Sequence, residues 1–242
     1  MNGKMRFLAL LPLAMFLLCI TPGYGLCADA APPVLDHAGL QALVKETQRE
    51  NQSPRELGLV WWIPTLYWRA SIAASDPNAS KDQLEQFDKV LSPYTLVAAV
   101  QGEMGPLGGV MWKSEDILRS NLALVDRNGK EYRPIAISAV TPDARNLISI
   151  LRPVIANMLG PMGEHLYFVY FPSLTDGKTP IADPLAEGSF AIRLGKETHK
   201  WRLPLGALLP KKQCPVDGET FSGAFKYCPF HGKELVLAPA NR

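Results

Sequence analysis

The chain has 242 residues, 47% of them hydrophobic, with 25 Lys and Arg against 23 Asp and Glu and a formal net charge of +2. A balance so close to neutral gives no field to steer nucleic acid or anionic lipid, so partners of those kinds are excluded. The apolar share over this length is ample for one large core plus a small appendage.

Lys4 and Arg6 precede the apolar run Phe7 to Ile20, which Pro22, Gly23 and Gly25 then break. This is the layout of a secretory signal peptide. The run holds 14 residues and contains Pro12, whereas a membrane-spanning helix needs roughly 20 apolar residues. No stable membrane anchor is therefore expected after cleavage. Ala28-Asp29-Ala30 has the small-x-small form of a cleavage site, which assigns residues 1–30 to the signal; a cut after Ala28 is the alternative. Neither Cys19 nor Cys27 has the small residue before it that lipid attachment requires. The remaining 212 residues carry a net charge of +1 and keep only Cys214 and Cys228. The predicted location is periplasmic or secreted.

Asp36 is placed to cap a helix running to about Arg49, with Leu40, Leu43, Val44 and Thr47 on one stripe. Leu57 to Ile72 is rich in aromatic and β-branched residues, and Pro64 splits it, which predicts two short strands or one irregular edge strand. Trp61, Trp62, Tyr67 and Trp68 lie in this run and fill the core or its edge; a sugar-stacking platform is the alternative. Ser80 and Gln83 form a capping box for a helix carrying Leu84, Phe87 and Leu91. Tyr94 to Gln101 reads as a strand. Asn121 to Ile137 reads as a hairpin turning at Asp126-Arg127-Asn128-Gly129.

Thr141-Pro142 starts a helix that continues to Leu159 and should kink at Pro153. Leu166 to Phe171 suits a central strand. A second hairpin runs from Phe190 to Leu203 through Gly195-Lys196. Strands outnumber helices and do not alternate with them. The fold class is mainly β with peripheral helices: an antiparallel β-sandwich over residues 31–207, followed by a linker and a small module over 208–242.

Gly105-Pro106-Leu107-Gly108 recurs 55 residues later as Gly160-Pro161-Met162-Gly163. The two are unrelated turns or a pair of loops forming a binding rim. Beside the second copy, Glu164 and His165 are candidates for a general acid and base, although neighbours in an extended segment point to opposite faces. His199 shares a strand face with Trp201 and Leu203, the setting of a hydrogen-bonded, half-buried imidazole. No Gly-x-Ser-x-Gly elbow, phosphate-cradling Gly-rich loop with Lys, or His-Glu-x-x-His is present.

The tail repeats one turn motif: Cys214-Pro215-Val216-Asp217-Gly218 and Cys228-Pro229-Phe230-His231-Gly232. In each, Cys-Pro opens a tight turn, a second ligand type follows three residues on, and Gly supplies positive φ. With Phe221, Gly223, Lys226-Tyr227 and Leu235, residues 213–237 resemble the short C-terminal zinc ribbons appended to many bacterial proteins. The resemblance implies a metal site of Cys214, Asp217, Cys228 and His231, with Asp and His standing where a full ribbon has Cys. It implies structural zinc, since four protein ligands close the coordination sphere. A Cys214–Cys228 disulfide without metal is the competing state, and exported proteins routinely form such bonds. Either would staple a module too small to bury its own core.

These features predict an exported, periplasmic, non-catalytic binding or assembly protein with a zinc-ribbon-like tail, its partner an envelope protein or a small ligand. The alternative is an envelope hydrolase working near Glu164, His165 and the Gly-Pro loops.

Overall fold

The computed structural model describes residues 35–239 apart from Gln52, Pro54 and Pro77; the expected signal peptide lies outside the described residues. Asp36 accepts a hydrogen bond from the Gly39 amide at 2.7 Å and so caps α1, His37–Thr47. The helix stops where the Thr47 hydroxyl donates to the Leu43 carbonyl, and the chain becomes extended as β1, Gln48–Glu50. Strand β2 is Glu56–Ile63, and Pro64 then starts α2, Thr65–Ser75. This corrects the expectation of strand through Ile72. Proline lacks the amide that a helix start leaves unpaired anyway, and Leu66, Ala70, Ala73 and Ala74 favour helix beyond it.

The Ser80–Gln83 capping box closes in both directions at the start of α3, Lys81–Leu91. Next come β3, Tyr94–Met104, and β4, Val110–Trp112, joined through the first Gly-Pro loop. A short helix absent from the sequence reading, α4 (Glu115–Asn121), leads into β5, Leu122–Val125. The predicted turn, with Gly129 at φ +83°, connects β5 to β6, Glu131–Tyr132. Thr141 caps α5, Pro142–Met158, which passes through Pro153 without ending. Strands β7 (Tyr167–Pro172), β8 (Leu174–Thr175) and β9 (Thr179–Pro180) follow. The second predicted hairpin is β10, Gly188–Leu194, and β11, Glu197–Leu203. The tail contributes β12 (Lys212–Gln213), β13 (Thr220–Phe221) and β14 (Val236–Leu237).

The architecture is mainly β with peripheral helices, and every strand pairing is antiparallel. The two largest sheets have the orders β1-β2-β3-β4, with β7 also on β3, and β11-β10-β5-β6. They share one core. On one side of β2 the Trp62 ring meets Phe190 of β10 edge-on at 4.7 Å, and on the other Trp61 meets Tyr67 of α2 at 5.3 Å. Strand β2 is thus covered on both faces and is interior, not an edge. All four aromatic residues of the Trp61–Trp68 run are buried, which makes them core.

Strand β7 is as buried as expected, yet it pairs only with β3 among the described strands. Its outer edge is met instead by the Ile135 amide, which donates to the Tyr170 carbonyl at 2.8 Å. A single hydrogen bond from a loop here takes the place of part of a missing neighbour strand.

The described residues belong to one compact unit. Within it the tail has a core of its own: Cys214, Cys228 and Leu235 are buried together, with Phe221 packed against them. No helix among the described residues is long and apolar enough to cross a membrane.

Candidate metal centre

The two Cys-Pro motifs fold into the same turn. In the first, the Gly218 amide donates to the Cys214 carbonyl at 2.9 Å, and the Cys214 amide to the Glu219 carbonyl at 2.8 Å. In the second, Gly232 donates to Cys228 at 2.8 Å, and Cys228 to Lys233 at 2.8 Å. Gly218 and Gly232 take φ of +78° and +61°, the region a side chain would resist. Each turn aims an amide at its own sulfur: Val216 N–H at Cys214 Sγ and His231 N–H at Cys228 Sγ, both 3.4 Å. Strand β12 pairs with β13 and β14, and a bridge between Tyr227 and Glu234 supports the second turn.

This doubling brings the turns face to face. Cys214 Sγ, Cys228 Sγ and one ring nitrogen of His231 all lie within 4.8 Å of one another. His231 Nδ1 is 3.5 Å from each sulfur. Asp217 reaches the same nitrogen through Oδ2 at 3.5 Å, while its Oδ1 accepts from the Glu219 amide at 3.0 Å. It is outside the set of donors that are all mutually within 4.8 Å. The sulfurs are buried and not joined by a disulfide; His231 and Asp217 are open to solvent.

The local field separates the two thiols. Burial pushes the Cys214 thiol up. Burial acts the same way on Cys228, but amide donation from His231 and Phe230 and the His231 ring outweigh it, and this thiol falls below its ordinary value. The Asp217 carboxyl is lowered, chiefly by the Glu219 amide and then by the Cys214 side chain. Two sulfurs and an imidazole this close together form a donor group that could hold a metal ion.

The remaining sequence candidates have other surroundings. The His165 ring lies flat on Trp112 of β4, with centroids 4.9 Å apart and planes 18° apart, and neighbouring Glu164 is exposed. The two Gly-Pro loops do different work. The first is a turn in which Gly108 takes φ +89°. In the second, a Cβ on Gly163 would fall 1.9 Å from the Ala156 carbonyl oxygen, so glycine there permits close approach to α5. His199 is buried, with Nε2 3.2 Å from Asn51 Oδ1.

The sequence reading passed over Arg145 and Arg152, which flank a cavity beside α5. Their seven-residue spacing, two helical turns, was the available signal. No protein-family model matches the chain, and no curated protein or solved structure matches it significantly.

Proposed function

We propose that this chain is an exported, periplasmic, non-catalytic binding or assembly protein of the cell envelope, acting on an envelope protein or a small ligand, whose tail is stapled by structural zinc. The observation that carries the metal reading is the set of donor separations around His231. A tetrahedron with zinc–sulfur distances of about 2.3 Å and zinc–nitrogen distances of about 2.0–2.1 Å has sulfur-to-nitrogen edges of about 3.5–3.6 Å. The two Cys–His separations are each 3.5 Å. A nitrogen-to-oxygen edge in the same geometry is about 3.3–3.5 Å, and the His231–Asp217 separation is 3.5 Å.

Cys214, Cys228 and His231 would hold the ion, and Asp217, whose carboxylate stands outside that close group, would swing inward to serve as fourth ligand. Zinc would supply a cross-link between the turns, and four protein ligands leave no open position for chemistry. The amides of Val216 and His231, aimed at the sulfurs, act toward the thiolate forms that ligation requires; at Cys228 they prevail, and at Cys214 burial outweighs them. The export part of the reading is supported by the charged, apolar and small-residue order of the first 30 residues.

Native mass spectrometry of protein purified from a periplasmic extract tests the zinc and export parts of the proposal. The expected species begins near Ala31 and carries one zinc ion per chain. A metal-free chain lighter by about two hydrogens, the mass of a disulfide, would overturn the zinc assignment. A retained N-terminus in the cytoplasmic fraction would overturn export.

A further inference from the structure

Helix α5 has a second chemical face. Arg145, Ile148, Ser149 and Arg152 follow the i, i+3, i+4, i+7 spacing of one helical stripe, and all four line a cavity of about 350 Å³. Its aromatic lining comes from β7: Tyr167, half-buried, with Phe168 and Tyr170, both buried. The Tyr170 hydroxyl donates to the Ala144 carbonyl at 3.4 Å and stays protonated, its pKa pushed up to about 12 by burial.

Two guanidinium groups and one carboxylate, Glu115, line this cavity. Arg145 and Arg152 are exposed, and neither has a carboxylate partner among the described residues. Arg69 and Arg193 each hold a carboxylate at 2.6 Å. The carboxylate lining the cavity, Glu115, lies 3.6 Å from Arg119, which also donates to the Ile135 carbonyl. The Arg152 guanidinium is 5.9 Å from the centre of the Tyr167 ring, near enough for the ring face to hold it at the cavity mouth. Two free guanidinium forks two turns apart, over aromatic walls, combine an oxyanion clamp with an apolar platform. The volume lies within the range of small-molecule sites.

We infer that the cavity between α5 and β7 binds a small ligand carrying a carboxylate or phosphate on a flat apolar body, with Arg145 and Arg152 holding the oxyanion and Tyr167 contacting the body. This site is independent of the tail and of export. The face of α5 that lines the neighbouring groove toward α3 presents Asp143 in place of arginine, so one helix separates a cationic cavity from an acidic-edged one.

Calorimetric titration of the full chain at low salt with benzoate, phenyl phosphate and neutral benzyl alcohol tests the inference. At least one of the two anions should bind about ten- to hundredfold more tightly than benzyl alcohol, the range of one charge-assisted hydrogen bond. Which anion leads distinguishes carboxylate from phosphate. The double variant Arg145→Gln and Arg152→Gln should erase the preference and leave benzyl alcohol within about twofold. Both sites are exposed and glutamine is a good helix former, so an unchanged unfolding midpoint is expected and verifies the fold. Absence of binding by either anion, equal binding by all three probes, or a double variant with undiminished anion preference would each overturn the assignment.

Discussion

At the scale of single residues, the tail and the body use histidine in opposite ways. His231 sits in the open with its Nδ1 directed at two sulfurs and a carboxylate. Replacing Asp217 and His231 together with Ala is expected to lower zinc affinity by well over tenfold, since even groups one step behind the ligands are worth about ten- to hundredfold. A competition titration with a zinc chelator reads this directly, and unchanged affinity would remove both from the site. His199, in contrast, is buried in the body, and its pKa is lowered by burial, with Arg49 adding to the effect and Glu197 opposing it. The folded state therefore holds this ring neutral where the unfolded chain, titrating near about 6.5, takes up a proton. Stability is expected to decline as pH falls below that value, and His199→Gln should flatten the decline in urea midpoints measured between about pH 8 and 5. An identical pH profile in the variant would show that the imidazole is not a contributor.

At the scale of elements, local chemistry decided the starts and tertiary packing decided the identities. Ser80→Ala removes one arm of a closed capping box and should cost about 1 kcal/mol in a urea unfolding curve. Asp36 and Ser80 were legible as caps because a hydroxyl or carboxylate three residues before its amide partner is a strictly local pattern, and the start at Thr141-Pro142 was legible from proline in the first turn. The Asp126–Gly129 and Gly195-Lys196 turns were legible for the same reason. Thr65 to Ile72 was misread as strand because its aromatic residues suit either a strand or a buried helix, and only the contact of Tyr67 with Trp61 across the layer settles which. Helix α4 escaped notice at seven residues, too short to show a period. In the tail, the paired Cys-Pro turns announced the donors. That the sulfurs and His231 converge depends on the pairing of β12 with both neighbours, which no spacing encodes.

At the scale of the whole molecule, a large core and a small one coexist in one unit, and they differ in what holds them. The body buries Trp61, Trp62, Phe171 and Trp201 almost completely, whereas the tail buries two sulfurs and Leu235. All five tryptophans, Trp61, Trp62, Trp68, Trp112 and Trp201, belong to the body, so their fluorescence reports it alone. Cys214→Ser is expected to open residues 211–239 to limited proteolysis while the tryptophan emission and its urea midpoint stay near those of the parent chain. A tail as resistant as before would mean that the sulfurs are not its staple.

Glu46, near the end of α1, joins parts of the chain made far apart in time. Its carbonyl accepts from the Trp201 indole at 3.1 Å, and its carboxylate accepts from the Ala207 amide at 3.2 Å, 161 residues downstream. The contacts that fix the end of α1 are therefore long-range, and this helix gains its final anchor only when the β10–β11 hairpin and the turn after it are in place.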